Sequence, residues 1–293
     1  MLARTLDGIL AISEFAAETS RDALGLDPRK VVSIGAGVGD VFTPSTSDPW
    51  PALRRLEKMG VNRKRALVVA VTGGDERKNT EGLIRAWNLL PARLRSTSQL
   101  VVACAIGPVV MDRWTRVATS LELVVGRDVV FTDSVSDDEI LHVHRAARLA
   151  VFPSLEEGFG LPVAEAAASG CPVICSDTSS LPEVIGLPEA QFDPYDVTAI
   201  ARAIEWGMTD EGHRMRLAEA AAAARSAWTW ARTGERAMAA LNHFSTLVDH
   251  RRRRAIARKV AFLAPGPESP SAIGAYTSRV IDAWRRRSTD DVE

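Results

Sequence analysis

Two carboxylates, Glu157 and Glu165, bracket the run Gly158-Phe159-Gly160-Leu161-Pro162-Val163-Ala164. An ionised carboxylate only accepts hydrogen bonds, and its oxygens can take two adjacent hydroxyl donors at once. The glycines let backbone approach a ligand closely, and Pro162 marks a first helical turn, in which Glu165 is also expected. An apolar run, Leu149-Ala150-Val151-Phe152, precedes the segment, and Ala166-Ala167-Ala168-Ser169, closed by Gly170, follows it. A strand therefore feeds a loop, and the loop feeds a helix whose N-terminal N–H groups can face an anion such as a diphosphate. A ligand that joins phosphates to sugar hydroxyls would use all of these parts. Placement near the positive end of a helix dipole accounts for Glu165 alone; it leaves Glu157 and the two glycines unexplained.

A second constellation is Thr72-Gly73-Gly74-Asp75-Glu76-Arg77-Lys78-Asn79. It follows an apolar run and opens a helical pattern. Arg77 and Lys78 are adjacent cations in this loop, and a surface pair is the plainest reading of them. A third, Thr132-Asp133-Ser134-Val135, lies between a strand run and a helix. There an ordinary N-cap turn accounts for any single side chain equally well. The sequence shows neither a Ser-His-Asp or Cys-His arrangement nor a metal-ligand cluster, so no metal or cofactor is expected.

These loops need a rigid frame, and the patterning supplies one. Strand-like runs fall at 8–12, 30–34, 66–72, 100–106, 128–132, 148–152 and 172–176, with helical spacing at 79–90, 109–122, 137–147 and 161–169. Short Val/Ile/Ala runs alternating with helices predict an α/β fold: a Rossmann-like parallel sheet flanked by helices. In such sheets ligands bind beyond the carboxyl ends of the strands, where the loops after Val71 and Phe152 both lie. Helical patterns at 195–208, 211–226 and 228–248 follow, with Trp228 and Trp230 read as core anchors and His213, His243 and His250 as exposed or capping residues.

The 293 residues carry a net charge of -1 and 46% apolar residues. That balance argues against a nucleic-acid partner. Cys104, Cys171 and Cys175 sit in or beside apolar runs and read as buried thiols of a reducing compartment. The expected localisation is cytoplasmic, with loose membrane association as a refinement; the basic run Arg251 to Arg254 reads first as a solvated helix end and second as an attraction to anionic lipid. The expected division is a front remnant at 1–44, a main domain at 45–227, a crossover helix at 228–250, and a strand and helix at 259–293 that begin a further domain. Neither end piece is large enough to bury a core alone.

The acid-bracketed loop resembles the nucleotide-sugar site of retaining glycosyltransferases of family 4, which have the GT-B fold. Cys171 to Ser176 with Leu181-Pro182-Glu183-Val184, and Ser136 to Leu141 before Arg145-Ala146-Ala147-Arg148, resemble neighbouring segments of that family. The resemblance covers Leu6 to about Leu247. It implies that Glu157 meets donor-sugar hydroxyls, that Gly158, Phe159, Gly160 and Leu161 face sugar and diphosphate, and that Glu165 accepts from the ribose diol. It implies that Arg77 and Lys78 meet the diphosphate beside Gly73 and Gly74, and that the loop at Val135 receives the base through backbone atoms. Many members have an additional Arg where this chain reads Thr72-Gly73-Gly74; a Gly-Gly variant also resembles members. The implied activity is metal-independent hexosyl transfer with retention from GDP-mannose or a UDP-hexose to a glycan or lipid-linked acceptor, with peripheral membrane contact. The alternative is a nucleotide-sugar-binding module without turnover. The front and end pieces resemble parts of amino-terminal GT-B domains, so the chain reads as a fragment of a longer polypeptide, or else as a permuted arrangement.

Overall fold

A computed structural model describes residues 6–247 together with residue 282. The basic run at 251–254, His250, the strand expected at 259–263 and all but residue 282 of the helix expected at 272–287 lie outside the described residues. The chain divides into two compact units.

One unit holds the described residues up to Val38 and those from Ala227 on. Strand β1 (Ile9–Ala11), helix α1 (Glu14–Leu24) and strand β2 (Val31–Ser33) form a parallel two-stranded pair with one crossover. Ser13 caps α1 by accepting from Ala16 N–H at 2.9 Å, and Gly25 ends it in the left-handed region, a normal start and stop. Leu10, Val32 and Ile34 bury against Ala237, Ala240 and Phe244 of the last helix.

The other unit, Gly39–Ser226, carries the site. In chain order it contains α2 (Arg54–Lys58), β3 (Ala66–Val71), α3 (Thr80–Leu89), α4 (Ala92–Thr97), β4 (Ser98–Ala103), α5 (Pro108–Ser120), β5 (Val129–Phe131) and α6 (Asp137–Ala146). It continues with β6 (Ala147–Phe152), α7 (Leu161–Ala168), β7 (Val173–Ser176), α8 (Leu181–Val184), β8 (Gln191–Phe192), α9 (Val197–Thr209) and α10 (Glu211–Ala227). Helix α11 (Trp230–Leu247) belongs to the first unit.

All six strands β3 to β8 pair in parallel, in the order β5-β4-β3-β6-β7-β8. The central strands are apolar throughout because helices cover both faces. Val68, Val69, Val101, Val102, Ala150 and Val151 are at most 1% exposed, and each buried Val contributes about 1.5–3 kcal/mol of transfer free energy. Helix α3 packs on α5 and α9, whereas α6 packs on α7, so the two groups of crossovers form separate layers. The expected Rossmann-like sheet is present.

Several elements differ from the sequence reading. Strand β4 starts at Ser98, ahead of its apolar run, because the amide of buried Gln99 is satisfied by Asn62 N–H and by the Gly60 and Arg127 carbonyls. Two-residue β8 and four-residue α8 are too short to show a period. His213 is not exposed: its ring is buried, stacked 3.6 Å from that of Trp206, and burial lowers its pKa. Residues 42–51 hold Pro, Ser, Thr and Asp without periodicity, the pattern of a linker, yet they are fixed to this unit, since Arg145 donates to the Thr43 carbonyl at 2.7 and 2.9 Å. The three cysteines are buried free thiols, each pushed up to about 12 by burial.

Candidate active site

Strand β3 has β4 on one side and β6 on the other. The chain leaves β3 toward one edge of the sheet and leaves β6 toward the opposite edge. The loops after these two strands therefore part, and a crevice opens at their carboxyl ends. A small pocket lies there, with Thr72, Lys78, Thr80, Phe152, Pro153 and Ser154 among its lining residues.

The loop after β3 runs through Gly73 and Gly74 into a single 3₁₀ turn, Glu76–Lys78. Asp75 caps that turn by accepting from Arg77 N–H at 2.9 Å. The Arg77 guanidinium folds back onto the same carboxylate at 2.9 Å and lowers its pKa. Asn79 then takes φ 51°, a left-handed conformation that Asn adopts more readily than most residues. Its side chain donates to the Pro194 carbonyl at 2.8 Å, anchoring the start of α3. Lys78, next to Arg77 in sequence, reaches elsewhere: its Nζ lies 2.6 Å from Glu157 Oε1.

The loop after β6 presents Glu157 to that lysine. Oε1 of Glu157 also accepts from the Ser154 hydroxyl at 2.9 Å. Leu155 N–H donates to the Arg77 carbonyl at 2.7 Å, so the loops are joined through backbone as well. The Lys78 and Glu157 side chains are only 21% and 14% exposed. Solvent screens them less than it screens a surface pair, whose typical worth is about 0–1 kcal/mol.

Gly160 ends this loop at φ 99°, and a Cβ there would sit 2.5 Å from Leu181 Cδ2. Only glycine meets both demands. As the N-cap of α7 it brings no capping side chain, and Pro162 brings no N–H, which leaves the start of the helix unblocked by its own side chains. Phe159 is buried, Gly158 is exposed, and Leu161 begins α7. Glu165 is the fifth residue of α7 and half-buried, so it opens the second turn; the first turn contains no acid, which corrects its expected placement.

The loop after β5 is held from below. Arg55 of α2 pairs with Glu139 at 2.7 Å, with Asp133, and donates to the Ser134 carbonyl at 2.8 Å. The Arg55 hydrogen bonds hold the Glu139 carboxyl down at about 2. Ser136 and Glu139 form a capping box at the start of α6. Val135 turns its side chain onto the cluster around Leu53 and Val143, whereas Asp133 and Ser134 are exposed.

The structure thus brings Lys78 and Glu157 together, with Arg77 in the same loop but engaged by Asp75. Gly73 and Gly74 flank the crevice: a Cβ at Gly73 would meet nothing within 4 Å, and one at Gly74 would touch Val110 and Ile106. Sequence reasoning missed Ser154 and Arg55. Ser154 carried a weak signal, as a hydroxyl directly before the acid-bracketed loop. Arg55 carried none, being 84 residues from Glu139.

A parallel sheet of this order, with a crevice where its connections diverge, defines a Rossmann-like domain. The chain belongs to the family described as glycosyl transferases group 1, whose model matches residues 54–224. It is 34% identical over 232 residues to the serotype-specific mannosyltransferase WbdA of Escherichia coli, covering 79% of this chain and 28% of that protein. It is 34% identical over 207 residues to the O-antigen chain mannosyltransferase B of Escherichia coli, covering 70% and 52% respectively. The chain therefore spans about a quarter to a half of the length of these relatives. Among solved structures, a glycosyltransferase from Rickettsia africae ESF-5 superposes with TM-score 0.71 at 18% identity, over 85% of this chain and 66% of the other. Anabaena Alr3699/HepE, solved in complex with UDP and glucose, superposes with TM-score 0.67 at 18% identity, over 84% and 63%. No helix among the described residues is long and apolar enough to cross a membrane.

Proposed function

We propose that this unit binds the nucleotide-sugar donor of a hexosyltransferase that acts with retention. The observation that carries the reading is the 2.6 Å contact between Lys78 Nζ and Glu157 Oε1 at the divergence of β3 and β6. A cation and an acceptor-only group, adjacent and half-buried, match a ligand with a diphosphate at one end and sugar hydroxyls at the other. Lys78 then faces the charge that grows on the leaving diphosphate, where a fixed cation lowers the barrier. Glu157 accepts from hydroxyls of the transferred sugar. Glu165 accepts from the ribose diol, and backbone of the loop at Val135 receives the base.

In the transfer step the bond from the anomeric carbon to the diphosphate oxygen breaks, and that oxygen keeps the electron pair. The acceptor hydroxyl oxygen bonds to the same face of the carbon, and its proton passes to the departing diphosphate. GDP-mannose is the donor favoured here, because two relatives at 34% identity are mannosyltransferases; UDP-hexoses are the competing class. The acceptor is a glycan or a lipid-linked glycan, reached from the cytoplasmic side of a membrane.

Calorimetric titration with GDP-mannose, UDP-glucose and the free diphosphates GDP and UDP tests this reading. Binding of one nucleotide sugar is expected. Glu165→Ala should weaken nucleotide and nucleotide sugar alike, whereas Glu157→Ala should weaken only the sugar-bearing ligand. Parental binding by both variants would refute the site.

A further inference from the structure

The loop after β7, residues 177–180, touches the acid loop but contains none of the residues assigned above. Ser179 there has φ 55°, one of three non-glycine residues among the described ones with positive φ. Serine adopts this conformation at a cost that glycine would avoid. Its hydroxyl donates to the Thr178 carbonyl at 2.7 Å, which directs an oxygen lone pair outward. That oxygen accepts from Glu157 N–H at 3.0 Å. The next residue, Ser180, is fully buried and donates to the Glu157 carbonyl at 2.9 Å. Thr178 donates to the Leu155 carbonyl at 3.2 Å. Three consecutive hydroxyls thus grip the backbone of the acid loop, and two of them hold both polar groups of the Glu157 main chain.

We propose that Ser179, with Ser180, is a positioning residue for Glu157: the side-chain oxygen of the strained serine fixes where that carboxylate points. Strain held at a functional loop is the pattern expected when geometry outweighs local stability. Glycine would relax the backbone yet leave Glu157 N–H without this acceptor. Asparagine tolerates the left-handed region better than most residues and carries a carbonyl oxygen of its own. The proposal rests on the donor-site reading above, in which Glu157 meets the sugar and not the nucleotide.

The test compares affinities for GDP-mannose and GDP, and for UDP-glucose and UDP, in the parent, E157A, S179G and S179N. For the pair that the parent binds, S179G should bind the nucleotide sugar about tenfold more weakly, the effect of one lost positioning hydrogen bond. Its affinity for the free diphosphate should equal the parent's, showing an intact domain. S179N should recover most of the nucleotide-sugar affinity. Equal losses for both ligands in S179G would mark a merely structural role and overturn the proposal. So would unchanged affinity for both, or an S179N variant as weak as S179G. E157A separates the two levels: a selective loss in E157A without one in S179G defeats this inference alone. A parent that binds neither pair, or an E157A without selective loss, defeats the donor-site reading and this inference with it.

Discussion

The loops after β6 and β5 are built from different materials. The first is gripped mostly by hydroxyls and by a glycine that packing requires: Ser179 and Ser180 bond to the Glu157 main chain, Ser154 donates to its carboxylate beside Lys78, and Gly160 lies against Leu181. The second is held by charges, with Arg55 pairing to exposed Asp133 and to half-buried Glu139. Neutral, half-buried bonds are short in range, indifferent to salt and costly to leave unmade. Exposed ion pairs are weaker, and respond to salt and pH. The contrast teaches that hydroxyls bonded to the main chain set the position of the carboxylate at the crevice, whereas a single arginine ties down the loop proposed to receive the base.

The largest expected effect falls where the loop after β6 meets the cation. Lys78→Ala should reduce donor turnover by about 10²–10³-fold, the loss typical of one charge-stabilising group. Arg77→Ala, whose guanidinium already faces Asp75, should lose far less in the same kinetic assay. Equal losses would remove the distinction between the two cations. Next, Gly160→Ala should destabilise the fold by about 2 kcal/mol or more, read from denaturant midpoints, because the left-handed backbone and the Leu181 contact both oppose a methyl group.

A smaller effect is expected at the charged loop. Arg55→Met should weaken nucleotide binding about fivefold while leaving the preference for nucleotide sugar over free diphosphate intact. The same pairing has a pH signature. Glu139 is lowered from 4.5 to about 2, first by the Arg55 hydrogen bond. A depressed carboxyl stabilises above its unfolded pKa and loses that contribution as pH falls through the folded value. Parent and Arg55→Met should therefore differ most in unfolding midpoint above pH 4.5 and converge as the pH approaches 2. A difference that persists at pH 2 would mean that packing, not charge, holds the loop. The smallest effect is Gly73→Ala. With nothing within 4 Å of the added Cβ, stability should change by less than about 0.5 kcal/mol. The two glycines, Gly73 and Gly160, would then differ by the steric demand alone.

Much of this was legible in the chain. The apolar runs that became β3, β4, β6 and β7 alternate with amphipathic helices, and that alternation implies a parallel sheet with ligand loops at one end. The same reasoning singled out Gly73, Lys78 and Glu157 as candidates. It overlooked β8 and α8, which are shorter than the period they would need to show. It assigned Glu165 to the first turn although it read the helix start at residue 161 correctly; as the fifth residue of α7, Glu165 opens the second turn. It read His213 as exposed or capping, since a lone histidine in a polar stretch carries no sign of the Trp206 ring stacked on it.

Local order along the chain was enough to name the parts: two acids, two cations and the glycines that let backbone approach a ligand. Residue type and period act over a few positions, so they survive in one dimension. Which parts meet is a different matter. Lys78 is 79 residues from Glu157, and Ser179 is 22 residues beyond it. Their meeting depends on the strand order, which places β3 beside β6 and β6 beside β7. That order follows from how the crossovers bury their apolar faces on the sheet, an energy summed over the whole domain and carried by no single segment.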